Sequence, residues 1–432
     1  MGALVQKTAA ETAWLEGGAG LAWLDAEQRT AAAAFARTGL PHRRLEDWKW
    51  TDLRRLIDGA YPPLRQGKED EGLIDALVAA SPLKDIATTR LIFVNGRFDA
   101  GRSQLAEASA IEIVPLAAAS RPAWVKIAAV ADDPIDALNI AHLSDGAAIR
   151  VPSGAKPQGA VELCFVATAG GGPATVTTRN VVVLEEGAVF TLIETHLGSA
   201  VPHVANSVTE VHLGKDARLD RVKIQRDGTT AFHLANLVAS LGQGATLSDF
   251  TLTMGGRVTR QQGFVRFAGE GATARIAGAY LLGGRQHADT RLVVDHAVPG
   301  CASRELFKCV MDGEARGVFQ GKVIVRPDAQ KSDGKQSSHG LLLSPMAEFD
   351  SKPELEIFAD DVVCGHGATS GEIDGDHMFY LRARGIPEPE AKSLLVAAFV
   401  GEAIEAVESE AARDVLTDLA AGWLDEHRRA TA

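Results

Sequence analysis

The chain has 432 residues, 46% of them apolar and 23% charged, enough hydrophobic material for a large core in one domain or several. Asp and Glu (56) outnumber Lys and Arg (44), and the formal net charge of -12 argues against a general nucleic-acid binder, which needs a basic footprint. Four cysteines in a chain this size, with no basic-then-apolar leader in MGALVQKTAAETAWLEGG, predict reduced thiols and a cytoplasmic location.

No apolar run reaches membrane-spanning length. Gly2 is not read as a lipidation site, because Gln6 stands where a myristoylation signal needs Ser or Thr. Residues 1–85 read as a helical domain. LDAEQRTAAAAFARTG is Ala-rich and stops at Gly39, with Pro41 two residues on; EDWKWTDLRRLIDGAY then restarts a helix. In that second segment Trp50, Leu53 and Leu56 recur at helical spacing. The Arg and Lys between them read as the solvated face of a tryptophan-anchored amphipathic helix, with a phosphate grip as the competing reading.

Residues 86–375 read as a β core with regular rungs from about residue 147. Short runs rich in Val, Thr, Ile and Leu alternate there with Gly-containing turns. The alanine after the turn recurs at Ala188, Ala217, Ala245, Ala272, Ala302 and Ala329, in steps of 29, 28, 27, 30 and 27 residues. A turn and two strands recurring at that step predict the rung of a solenoid, whose core is continuous from rung to rung. A β-sandwich would show turn signals every 8–12 residues instead. Residues 376–432 read as a C-terminal helical domain. Leu394, Leu395, Ala398, Phe399, Ile404 and Val407 form an apolar stripe, and Ser409 is placed to cap the following helix. The stripe suits either closure of the solenoid or docking of a partner protein.

Motifs of enzymatic chemistry are missing. GVFQGKV has too few residues before Gly-Lys for a phosphate loop and no Ser or Thr after it. There is no G-x-S-x-G elbow, so nucleotide chemistry would have to come from another chain. Cys164, Cys301, Cys309 and Cys364 contain no C-x-x-C pair; Cys301 and Cys309 read as small core residues. His287, Asp289, Asp295 and His296 suggest either a His–carboxylate metal site or buried polar residues bonded to backbone. Cys364 and His366 lie two apart in DDVVCGHGAT, so in an extended segment both project from one face. Thiolate and imidazole suit iron or zinc. Two ligands do not close a tetrahedral site, so a second chain, a distant loop or a substrate must complete it. As nucleophile and base the pair is poor, because neighbours on one strand face run side by side.

PHRRLEDWKWTDL, the long stretch from HADTRLVVDHAVPG to DDVVCGHGATSG, and FYLRARGIPEPEAKSLLVAAFVGE resemble the SufB/SufD family of the SUF iron–sulfur cluster assembly system. Chain length and the segment carrying Cys364 and His366 resemble the SufD form. The resemblance implies a right-handed parallel β-helix between two helical domains and a non-catalytic scaffold role. It also implies pairing with SufB through the β-helix, docking of the ATPase SufC on the C-terminal helices (Leu394, Leu395, Ala398, Phe399, Ile404), and sulfur delivery through SufB. His366, and with it Cys364, would hold iron or a nascent cluster transiently at the SufB interface, with nothing bound by the isolated chain. Asp360 and Asp361 read as a solvated acidic turn, with attraction of iron as the alternative. Competing expectations are a SufB-like subunit, a homodimeric solenoid without a metal role, and a polysaccharide-active β-helix.

Overall fold

The computed structural model describes residues 6–17, 20–64, 70–105, 111–118 and 121–431, with only the backbone course for 426–431; Gly2 lies outside them. Two sheets run the length of the molecule, one of ten strands and one of nine. From residue 147 the chain alternates between them. Between the ends each strand pairs in parallel with its counterpart one rung before and one after. This is a parallel β-solenoid of about eight turns. At its N-terminal end Arg97–Gln104 and Glu112–Pro115 add antiparallel edge strands to the two sheets.

Register refines the repeat. Val189, Arg218, Thr246, Thr273, Ala302, Asp333 and Val363 stand side by side in the ten-stranded sheet. The small residue before each of the first six is the fully buried Ala188, Ala217, Ala245 and Ala272, then Cys301 and Ser332. Ala302 and Ala329 are therefore out of phase with the series assigned from sequence. Cys301 takes the alanine's place because it is equally compact, and the next turn is longer by two residues, carrying the phase on to Ser332.

Alternation along each strand sends Phe190, Leu219, Leu247 and Ala274 into the lumen against Val211, Val265 and Phe267 of the facing sheet. The outer faces are covered too. Trp14, Phe35, Trp48 and Tyr61 pack on Val204, Phe232, Leu234 and Val258 of the nine-stranded sheet, and Trp14 Nε1 donates to Thr175 Oγ1 at 2.8 Å. The helix expected over 46–61 is broken into a 3-10 turn at Glu46–Trp48 and one turn at Leu53–Leu56. Contacts at Asp47, Trp48 and Thr51 with the solenoid hold the irregular path: Arg260 lies 4.2 Å above the Trp48 ring and donates to Asp47 O. Trp48, rather than Trp50, is the buried anchor. Lys49 and Arg55 are exposed, whereas Arg54 is half-buried and faces Glu11 at 3.5 Å, so the basic face is solvated only in part.

On the other sheet, helices Glu388–Ile404 and Glu410–Thr431 bury Val396, Val400, Ala403, Ile404 and Leu416 against Phe250, Leu252, Ala277 and Leu281. Ser409 Oγ accepts from Ala412 N, capping the second helix. The stripe drawn from sequence is only partly the packed one. Ile404 and Val407 are buried, Phe399 and Leu395 are half-buried, and Leu394 and Ala398 face outward. The outer sheet accepts the helix face centred on Val396 and Val400.

Candidate functional site

The His287 cluster is a domain anchor. Thr51 Oγ1 lies 2.8 Å from His287 Nε2 and donates to Asp289 Oδ2 at 2.5 Å. Asp289 also accepts from Gln320 Nε2 at 3.0 Å and faces Arg260 Nη1 at 2.5 Å. The partners are side chains, not the backbone groups expected from sequence. Burial pushes His287 down to about 4, leaving it neutral. Asp295 instead pairs with Arg326 at 2.9 Å, and His296 reaches Ser303 Oγ at 3.0 Å. The four residues do not converge on one point.

A second polar group fills the lumen at mid-solenoid. Arg221 bridges Glu194 at 2.7 Å and Asp249 at 2.5 Å. Lys223 Nζ lies 2.9 Å from His233 Nε2, whose Nδ1 faces Asp227 Oδ2 at 2.9 Å. Burial, reinforced by Arg221, lowers Lys223 to about 8. Paired acids and bases inside a low-dielectric lumen fix register at this level, and each depends on its partner.

Cys364 and His366 sit at the far end. They lie on strand Val363–Gly371, the last of the ten-stranded sheet, paired on one side with Asp333–Leu342. Cys364 is half-buried against Val323, Val325 and Ala329, so its side chain faces the lumen; alternation gives His366 the same face, and His366 is exposed. Burial raises the Cys364 thiol, opposed by the Gly334 N–H and helped by Asp333 and Glu305. Cys164, Cys301 and Cys309 are fully buried, as core residues should be. Asp361 pairs with Lys331 at the surface, and Asp360 is exposed beside it, a solvated acidic turn. Among the described residues no three His, Cys, Asp or Glu side chains are gathered at metal-binding distance.

Among the described residues nothing pairs with the strand's outer edge, whose polarity follows from one bond. Val363 N donates inward to Ser332 O. Along a strand the N–H and C=O groups of successive residues alternate between the two edges. Those of Cys364, His366, Ala368 and Ser370 therefore point to the open edge. Around it Val363 is 62% exposed and Phe358 60%, an uncovered edge of the kind that pairs with another chain.

Two lumen residues beneath this strand went unnoticed in the sequence. Glu305 and Gln336 occupy the register position of His366 on the two preceding strands of the sheet. Both are buried, and among the described residues neither the Glu305 carboxyl oxygens nor the Gln336 amide makes a hydrogen bond of good geometry. Burial pushes Glu305 up to about 7, against the lowering effect of Ser303 and Arg304. Successive steps of 30 residues back from His366 to Gln336 and 31 from Gln336 to Glu305 would have found them, had the register been known.

Comparison with known proteins agrees with this architecture. The family model for the SUF system FeS cluster assembly, SufBD core domain, matches residues 165–399, and that for the SufBD protein N-terminal region matches residues 17–163. The chain is 31% identical over 388 residues to the iron–sulfur cluster assembly protein SufD of Escherichia coli, covering 87% of each chain. It is 29% identical over 407 residues to a SufBD family protein of Synechocystis sp., covering 88% of this chain and 87% of the relative. A SufBD family protein of Mycobacterium tuberculosis is 37% identical over 209 residues, covering 46% of this chain and 53% of the relative. Among the described residues no helix is long and apolar enough to cross a membrane.

Proposed function

The chain belongs to the SufBD family, and we propose that within it the protein is a SufD-type, non-catalytic scaffold subunit of iron–sulfur cluster assembly. A role in cluster assembly follows from the family; the subunit's partners and site are this proposal's content. The observation that carries it is the last rung: an unpaired strand edge bearing Cys364 and His366, two ligand types suited to iron and too few to enclose it. A SufB subunit adding its own strand along Val363–Gly371 would bring further ligands beside them. A site completed only by two chains holds a cluster while they are docked and gives it up when they part.

In this reading ATP hydrolysis belongs to another subunit, in keeping with a GVFQGKV segment too short for a phosphate loop. SufC docks on the C-terminal helices, where Leu394 is 46% exposed beside the buried face of Glu388–Ile404 and the preceding helix Gly375–Ala383 leaves Phe379 74% and Tyr380 56% exposed. Sulfur arrives through SufB, and the iron or nascent cluster is cargo held by Cys364 and His366 at the interface.

Co-expression with SufB and SufC tests the pairing. Ala368→Pro removes an N–H aimed at the open edge and leaves the bonds to Asp333–Leu342 in place. The expected result is a folded variant that no longer co-purifies with SufB. Retention of SufB by a folded Ala368→Pro chain would contradict edge pairing, and a wild-type chain recovered only as a homodimer with SufB present would favour self-pairing.

A further inference from the structure

The lumen beneath the terminal strand is a polar well with an apolar floor. Glu305, Gln336 and His366 share one register position on three successive strands, about 4.8 Å apart along the hydrogen-bonding direction. The strand below places Ile276 at the same position, and Ile276 belongs to the lumen core, which fixes the inward direction of the file and closes its bottom. The Gln336 amide crosses to the facing sheet: a Cβ on Gly321 would lie 1.9 Å from its Nε2. Gly321 thus makes the room that Gln336 occupies.

The neighbouring file runs Ser303, Gly334, Cys364. Gly334 contributes no side chain, and a Cβ there would meet Val323 Cγ1 at 3.3 Å and both Cys364 Sγ and Ser303 Oγ at 3.5 Å. The thiol and the hydroxyl therefore pack over the Gly334 backbone, beside the file of Glu305 and Gln336. Glu305 is 3% exposed and Gln336 2%; among the described residues neither carboxyl oxygen nor the amide makes a hydrogen bond of good geometry, and only Ser303 and Arg304 lower the Glu305 carboxyl. Burying such groups unpaired costs several times the price of an ordinary contact. Two in succession, under a mouth made of imidazole and thiol, point to a species that these groups hold.

We propose that this well is an inner subsite for a divalent transition-metal cation of the ferrous class, with the Glu305 carboxylate as a ligand at its floor and the Gln336 amide oxygen above it. Cys364 and His366 form its mouth. Carboxylate, amide oxygen, imidazole and thiolate are a mixed set that suits such an ion. The four groups are not already gathered into a cage, so binding draws them together and remains weak without the sister chain. The inference rests on the reading of Cys364 and His366 given above and adds a route by which iron is held before a cluster forms.

The test is an anaerobic titration of the full-length chain with cobalt(II) as the probe, reading the thiolate-to-cobalt charge-transfer band. Only Cys364 is accessible to give that band, since the other three thiols are fully buried. Wild-type protein should show it. Glu305→Gln should weaken cobalt binding at least about tenfold, with a metal-free unfolding midpoint no lower than that of wild type. His366→Ala and Cys364→Ala report on the mouth separately. Binding lost in those two variants but unchanged in Glu305→Gln overturns the inner subsite and leaves the interfacial pair standing. Binding unaffected by all three overturns both readings, and a wild-type chain without the band overturns the subsite.

Discussion

Gln336 and His366 stand at the same register position on the last two strands of the ten-stranded sheet, one buried and one exposed. The exposed imidazole is thus the cap of an internal file and not an isolated surface residue. Gln336 fills the space left by Gly321, and a larger side chain at Gly321 must displace it. We predict that Gly321→Val lowers cobalt affinity without changing the oligomeric state, because the displaced amide crowds the well. Unchanged affinity would show that the amide plays no part.

Packing of the terminal rungs makes its own prediction. A Cβ on Gly340 would lie 2.5 Å from Cγ and Cδ1 of the Phe349 ring. The ring is wedged between the sheets and cannot swing as a flexible chain would. Gly340→Ala should cost about 1–3 kcal/mol by overpacking, measured by urea unfolding. A neutral result would mean that the last rung is looser than its contacts imply.

Asp289 holds the N-terminal domain to the solenoid through Thr51, Arg260 and Gln320. Removing it leaves the Arg260 guanidinium buried without its counter-charge. Asp289→Ala is predicted to destabilise by about 3–5 kcal/mol, whereas Thr51→Val should cost about 1–3 kcal/mol, the penalty for leaving a buried partner unsatisfied. Equal effects of the two substitutions in chemical denaturation would refute the ion pair as the principal anchor.

Acid should weaken the fold through buried histidines. Burial holds His142 and His287 down to about 4, while in the unfolded chain they titrate near 6.5. Between those values the unfolded state takes up protons that the folded state refuses. Stability is therefore predicted to fall as pH drops below about 6.5, by about 1.4 kcal/mol per pH unit for each histidine, and these contributions level off below about 4. Denaturation midpoints measured between about pH 7 and 5 check the slope; His142→Phe should make it shallower.

On the C-terminal helices, folding and the proposed SufC docking call on different residues. Val400 is fully buried against the sheet, whereas Leu394 is 46% exposed on the same helix. Val400→Asp should unfasten the helix. Leu394→Asp should leave the unfolding midpoint within about 0.5 kcal/mol of wild type and abolish co-purification with SufC. Loss of SufC only when the fold is lost would place its docking site elsewhere.

The solenoid was legible because compact residues at the turns repeat at nearly constant step, and the Cys364/His366 face was legible because two residues on a strand share parity. The finer geometry was not. Turn length changes around residues 327–331, so counting alanines reached Ala329 where the register passes through Ser332. Glu305 and Gln336 become neighbours of His366 only through strand pairing, which no local pattern encodes. On helix Glu388–Ile404 two apolar stripes lie side by side, and the one at Val396 and Val400 packs on the sheet's outer face at Phe250 and Leu252.

The central claim is that the last rung lends its imidazole to a cluster built between two chains. Anaerobic assembly in the complex with SufB and SufC, supplied with ATP, ferrous iron and a sulfur source, measures it directly by the growth of iron–sulfur absorbance. His366→Ala is predicted to leave the complex assembled and to slow cluster formation at least about tenfold, about 1.4 kcal/mol in the rate. A His366→Ala complex that builds clusters at the wild-type rate would contradict the account.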